Sequence, residues 1–373
     1  MNGWHDASSL GRGGRGDGHV GEADGEEWVV SDEGVMRTND DATGAKLSCV
    51  ESGYFSDEFV THFVRQRGGR PARRPPLVNR GYYARYAAVR GLVHDFFAAV
   101  ARAGLGAQVL NLGAGFDTLY FALKAAGEWP AGARMCELDF ADVAHRKAAV
   151  VRRQPRLAAL VEGAANVAKS ELKGGLVLRG TEYALAGADL RDLDAVQAAA
   201  FEGGRLDARL PTLVLSECVL IYLPPDRSDA LVAWAARAFS CAAMVVYEQI
   251  RPDDSFGRQM VQNIHDRGCP LLGIHAHPEP EDQERRFMAA GWTGPVRCLD
   301  MGQVYRRQLD PADLARIERL EIFDEFEEWD LIQAHYCIVV ATVGGRDGFW
   351  DALAWFSAAA AAAAPTGRPA VHV

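Results

Sequence analysis

The stretch from Gln108 to Leu123, QVLNLGAGFDTLYFAL, constrains this chain most. Val109 to Leu112 reads as a short buried strand. Gly113, Ala114 and Gly115 turn the backbone. Asp117 and Thr118 are helix-start residues ahead of Leu119, Phe121, Ala122 and Leu123. Strand, Gly-rich turn and helix form the entry to a nucleotide-type pocket at the carboxyl end of a parallel strand. Glycines there admit positive φ and leave bare backbone for a ligand to approach. The dinucleotide fingerprint asks for a third Gly three residues after Gly115, where this chain has Thr118. The segment is therefore either a plain tight turn or the seat of a smaller ligand, one with a ribose, an adenine and an amino-acid tail.

A second signal lies downstream. Met135 to Leu138 reads as the next strand, and Asp139 at its end stands 24 residues after Gly115. That is the usual offset for a carboxylate that accepts hydrogen bonds from ribose hydroxyls. A third strand follows in YALAGADLRDLDAV, Tyr183 to Val196. Asp189 and Leu190 after it are placed to meet an adenine amino group and ring nitrogen, while Asp192 suits a helix cap. Thr212 to Ser216 is a central strand, with Glu217 at its end and Tyr222 in the following loop. A carboxylate between two apolar runs is costly to bury unpaired, which marks Glu217 as functional. Ala242 to Tyr247, Val296 to Met301 and Tyr336 to Val343 complete seven strands, and Arg156 to Gly180 reads as helix or loop.

Ahead of the first strand, Asp40 to Phe63 reads as helical with Lys46 early in it. NRGYYARYAAVRGLVHDFF, Asn79 to Phe97, carries Tyr82, Tyr86, Val89, Val93 and Phe97 at helical spacing. Arg85 lies beside that face, where a helix charge is ordinarily solvated. Residues 1–40, with GRGGRGDG, read as a disordered Gly/Asp/Arg-rich tail in which the RGD tripeptide is a product of composition. Residues 346–373, with a run of seven alanines, read as a loosely held tail.

With 50 acidic against 40 basic residues and a net charge of −10, the composition disfavours a polyanion partner, which needs a basic face. The seven cysteines are scattered, form no CxxC and sit mostly in apolar runs, as reduced core residues of a cytoplasmic protein do. No apolar leader opens the chain, and no segment reaches the roughly 18 to 20 apolar residues of a membrane span. His275 and His277 have no third metal ligand nearby and read as surface loop, so no metal is expected. Pro311 to His335 reads as one charged helical stretch.

NRGYYAR, VLNLGAGFDT, ELDF with a later RK, GADLRDL, LPTLVLSECVLIYL, YEQ and HYCIVVAT occur in this order. In these motifs the chain resembles the leucine carboxyl methyltransferases, over about Asp41 to Gly345. The resemblance implies an α/β fold of the class I S-adenosylmethionine-dependent methyltransferases, with a Rossmann-like, mostly parallel seven-stranded sheet whose last strand inserts antiparallel. It implies S-adenosylmethionine as cofactor, with Gly113 at its methionine part, Asp139 at the ribose, and Asp189 and Leu190 at the adenine. Lys46 and Arg85 match basic residues near the cofactor carboxylate, and Glu217 matches a residue near the cofactor. The substrate implied is the C-terminal leucine carboxylate of the protein phosphatase 2A catalytic subunit, its methylation regulating holoenzyme assembly. Arg85, Tyr222 and Lys46 would then hold the acceptor, and the insert at residues 253–290 would wall a peptide tail, in a domain over 41–345 that acts as a monomer. The rivals are a small-molecule O-methyltransferase, a dinucleotide oxidoreductase and a phosphatase-binding protein without activity. The Gly/Arg-rich head, the alanine-rich tail and residues 156–180 fall outside the resemblance.

Overall fold

The computed structural model describes residues 32–64, 73–161, 175–346 and 348–356. The expected tail over residues 1–31, its RGD, and the alanine run after residue 356 lie outside them. One eight-stranded sheet organises the rest: β1 (Gln108–Leu112), β2 (Arg134–Asp139), β3 (Leu176–Arg179), β4 (Tyr183–Gly187), β5 (Thr212–Glu217), β6 (Cys241–Gln249), β7 (Val296–Asp300) and β8 (Tyr336–Gly344). Its order is β3-β4-β2-β1-β5-β6-β8-β7. Strands β4, β2, β1, β5 and β6 pair in parallel. The last strand, β8, inserts antiparallel between β6 and β7, as the resemblance implied.

Alternation within the strands explains two cores. Val109, Met135, Leu213, Val245 and Ile338 point to one face. Leu110, Cys136, Val214, Val246 and Val339 point to the other. Each strand's two faces are both covered, which is why these strands read as unbroken apolar runs. On the first face lie α1 (Asp32–Glu51), α2 (Pro76–Arg102), α3 (Leu119–Ala125), α4 (Ala141–Arg153) and α5 (Pro155–Leu160). On the second lie α6 (Leu193–Phe201) and α7 (Pro225–Ala238). Strand order reverses around β1, and the carboxyl ends of β1 and its neighbours open there as a crevice.

Several expectations are corrected. An eighth strand exists: β3, only four residues long, pairs antiparallel with β4 across Gly180–Glu182. LVLR is too short to show a period, so it reads as loop. The first helix begins at Asp32 and ends at Glu51, where Gly53 at φ 85° turns the chain, so it covers part of the expected tail and stops short of Phe63. The stretch 311–335 is broken into α11 (Pro311–Ile317) and α12 (Phe326–Ala334), preceded by α8 (Ser255–His265), α9 (Pro280–Ala289) and α10 (Met301–Arg307). Between α11 and α12, Ile322 is 90% exposed, so no inward apolar stripe continues the helix. Nor is the described start of the expected C-terminal tail, residues 348–356, loosely held. Trp350, Leu353 and Trp355 are buried, and the Trp350 indole N–H donates to Gly344 O at 2.8 Å. Aromatic burial anchors this segment, so Trp350→Ala is expected to cost about 3 to 5 kcal/mol in denaturant unfolding. A loss under about 1 kcal/mol would show that the segment is only loosely docked.

Candidate active site

A cavity of about 390 Å³ opens at the carboxyl ends of β1, β2, β4 and β5, roofed by α1 and flanked by α2. All eight residues singled out from the sequence line it: Lys46, Arg85, Gly113, Asp139, Asp189, Leu190, Glu217 and Tyr222. Their separation in sequence is closed by the parallel sheet, which brings every strand's exit to one edge.

The Gly-rich turn is shaped by close approach. Gly113 has φ 62°, and a Cβ there would sit 2.5 Å from Val219 Cγ2. Gly115 has φ 50°, and its Cβ would sit 2.6 Å from Asn39 Oδ1. The turn therefore admits the β5 exit loop on one side and α1 on the other. Asp139 takes the Gly115 N–H on Oδ2 at 2.6 Å and the Phe140 N–H on Oδ1 at 2.7 Å. Burial still pushes its carboxyl up to about 6, because two amide donors only partly replace water.

A helical cap made by α1 and α2 supplies the cations, Lys46 and Arg85. Arg85 is 9% exposed, so the solvated-helix reading fails. Its Nε donates to Glu217 Oε2 at 2.6 Å, and its guanidinium lies 4.7 Å from the centre of the Tyr247 ring. Burial opposes its charge, but Glu217 together with Cys218, Tyr82 and Tyr247 outweighs it and holds the guanidinium above its usual range. Among the described residues, only Nε of Arg85 donates to a protein group, leaving the two outer nitrogens for an anion. Lys46 is bound more completely. Its ammonium donates to Thr118 Oγ1 at 2.5 Å and lies 2.9 Å from Asp57 and 3.6 Å from Asp117. Burial pulls Lys46 down, yet the two carboxylates raise it overall.

The loop after β5 is strained and held from behind. Cys218 has φ 55°, a conformation costing on the order of 1 to 3 kcal/mol outside glycine. Glu248, buried in β6, accepts from Ile221 N at 2.8 Å and also meets the amides of Leu220 and Val219. It thus fixes the loop that carries Val219 and Tyr222. Burial pushes the Glu248 carboxyl up to about 7, against the Arg286 guanidinium from α9 (Pro280–Ala289) and the loop amides; Cys218 is a further titratable neighbour. On the remaining wall, Leu190 is buried, whereas Asp189 is half-exposed and clasped by Arg191, which also grips Asp32 of α1 at 2.8 and 2.9 Å. Arg191 holds the Asp189 carboxyl below its usual range.

Sequence reading missed Asn39, Asp57, Asp117 and Arg191. A pairing test could have found Asp57, since a buried Lys46 demands a carboxylate partner. Of the insert at 253–290, Leu272 alone lines the cavity among the described residues. His277 pairs with Asp229 at 3.1 Å and His275 lies 3.5 Å from Asp253; no group of three metal-binding side chains occurs among the described residues.

The family model for leucine carboxyl methyltransferases matches residues 34–236. A leucine carboxyl methyltransferase 1 homolog from Arabidopsis thaliana is 44% identical over 317 residues, covering 85% of this chain and 91% of that one. The chain belongs to the leucine carboxyl methyltransferase family. Bos taurus leucine carboxyl methyltransferase 1 is 36% identical, covering 85% and 92%. Homo sapiens tRNA wybutosine-synthesizing protein 4 is 44% identical, covering 83% of this chain but 44% of that protein. The cofactor of this methyltransferase is S-adenosylmethionine. Its fit is physical: a cavity of small-molecule size whose wall carries bare Gly backbone, a buried carboxylate and a buried guanidinium with free outer edge.

Glu248 gives a signed pH test. Its folded pKa is raised, so its contribution is fully present below pH 4.5 and is lost as pH rises through about 7. Glu248→Gln removes that loss and keeps an acceptor for the amides. Between pH 5 and 8 the variant should gain about 2 to 3 kcal/mol relative to wild type in denaturant unfolding. A pH-independent difference would mean Glu248 titrates normally.

Proposed function

We propose that this chain methyl-esterifies the C-terminal leucine α-carboxylate of the protein phosphatase 2A catalytic subunit, acting as a cytoplasmic monomer on that tail and regulating holoenzyme assembly. The observation that carries the reading is Arg85, a buried cation with its outer nitrogens free in a cavity of a leucine carboxyl methyltransferase. S-adenosylmethionine supplies an electrophilic methyl group when bound. An α-carboxylate, with a pKa of roughly 3.5, is ionised at neutral pH and needs no general base. The work left to the protein is positioning, which can supply about 7 to 11 kcal/mol of a barrier.

The shared cavity supports the following roles. Asp139 is assigned to the ribose hydroxyls, since each of its oxygens retains a lone pair after its backbone donor. Leu190 and Asp189 are assigned to the adenine, Gly113 to the methionine part, and Glu217 to the cofactor while it orients Arg85. Arg85 orients carboxylates, Tyr222 contributes at the same wall, and Lys46 maintains it through Asp57 and Thr118. The Glu217 partner keeps Arg85 from neutralising the nucleophile outright. Residues 253–290 form an outer wall for a peptide tail, reaching the cavity through Leu272.

The tRNA-related name among the relatives favours a second reading, a tRNA acceptor. Net charge opposes it: at −10 the chain as a whole repels a polyanion. Labelled S-adenosylmethionine, phosphatase catalytic subunit and bulk tRNA separate the readings. The expected result is base-labile label on the phosphatase that disappears when its terminal leucine is removed. Label on tRNA, or on small acids alone, overturns the phosphatase assignment. Arg85→Ala should lower kcat/KM at least about tenfold, and Asp139→Ala should weaken cofactor binding about ten- to hundredfold. Unchanged turnover or unchanged affinity, respectively, removes the assigned role.

A further inference from the structure

Asn39 of α1 lines the cavity and was not among the residues singled out from the sequence. Its Oδ1 accepts the Phe116 N–H at 2.8 Å, directly above Gly115. That bond fixes which end of the amide is oxygen, because the opposite orientation would set two N–H groups against each other. The Nδ2 end is buried and has no hydrogen-bond partner among the described residues. A buried amide donor without an acceptor is rare in a folded protein and calls for a ligand or water. Its surroundings narrow the choice. Asp139 takes the neighbouring Gly115 N–H at 2.6 Å, so Asn39 and Asp139 both close on the backbone of Gly115. One is an acceptor with spare lone pairs, the other a donor with spare hydrogens.

We propose that Asn39 is a further cofactor-binding residue, its Nδ2 donating a hydrogen bond to an oxygen of S-adenosylmethionine on the Asp139 side of the Gly-rich turn. The inference deepens the cofactor site and does not depend on the identity of the methyl acceptor. The oxygen belongs either to a ribose hydroxyl or to the carboxylate of the amino-acid tail. Both accept from an amide, and neither can be served by Asp139 as a donor when ionised.

The full chain tests this by titration calorimetry with S-adenosylhomocysteine and with 5′-methylthioadenosine, which keeps the ribose and lacks the carboxylate. Asn39→Asp keeps the acceptor for Phe116 and removes the donor. Asn39→Leu removes both without adding charge. Thermal unfolding of the ligand-free variants checks the fold. Both variants should bind S-adenosylhomocysteine about tenfold more weakly than wild type. Equal weakening toward 5′-methylthioadenosine places the oxygen on the ribose; weakening toward S-adenosylhomocysteine alone places it on the tail. Binding within twofold of wild type in both variants overturns the proposal. Loss confined to Asn39→Asp and relieved by high salt also overturns it, because that is charge repulsion from Asp139 and not a missing donor. If Asn39→Leu fails to fold, the salt dependence of Asn39→Asp decides alone.

Discussion

A charge taken out of water must find a partner, and this fold is tied together by the ways it meets that requirement. Lys147 of α4 and Glu137 of β2 are both fully buried and meet at 2.5 Å, with the Tyr183 hydroxyl donating to the same carboxylate oxygen at 2.6 Å. Arg146, one residue earlier, reaches Asp40 of α1 at 2.9 Å. Lys46 and Asp57 pair inside the cap, with Thr118 at the start of α3 donating to the same carboxylate. Arg85 joins α2 to β5 through Glu217. The Arg85–Glu217 pair ties the cap directly to the sheet, the Arg146–Asp40 pair ties it to α4, and removing one partner of a buried pair would strand the other. Replacing such a pair by apolar residues can be neutral for stability, so retaining charge here is consistent with a cavity that needs polar walls.

The same rule gives the motifs their physical content. In NRGYYAR, Asn79 is bonded to Ser48 and Glu321, Arg80 stacks 3.8 Å from the centre of the Phe323 ring, Tyr83 donates to Asp313, and Arg85 meets Glu217. One helix thereby touches α1, the α11–α12 region and the cavity, which leaves little of its surface free to vary. In GADLRDL, Asp189 and Arg191 form the rim clasp while Asp192 caps α6 by accepting from Asp194 N and Ala195 N. The cap and ligand readings of this turn thus fall to different aspartates. In YEQ, Glu248 holds the strained loop that closes on Gly113.

What the sequence made legible was what repeats or what is costly. Parallel strands buried on both faces read as apolar runs, and carboxylates at their ends stand out against that background. Hence β1, β2, β5 and β6 and the positions of Asp139 and Glu217 could be read directly. Local pattern failed where tertiary contact decides. Strand β3 exists because β4 offers an edge, and LVLR alone does not reveal it. Trp350 and Trp355 are anchored by contacts across the fold, including Arg297 Nη1 to Trp355 O at 2.9 Å. Asn39 looks like any polar helix residue until α1 is laid across the Gly-rich turn. Lys46 was legible as a site residue, but its engagement with Asp117 and Thr118 was not, because Thr118 lies 72 residues further along the chain.

The proposed roles all require that the cavity between the cap and the carboxyl ends of the sheet be the cofactor site. A crystal structure of the full chain with S-adenosylhomocysteine tests it most directly. Ligand density is expected within this cavity, its ribose oxygens against Asp139 and its carboxylate against the outer nitrogens of Arg85. Density in the separate groove beside Tyr83 and Arg316, or no contact with Asp139 and Arg85, would contradict it.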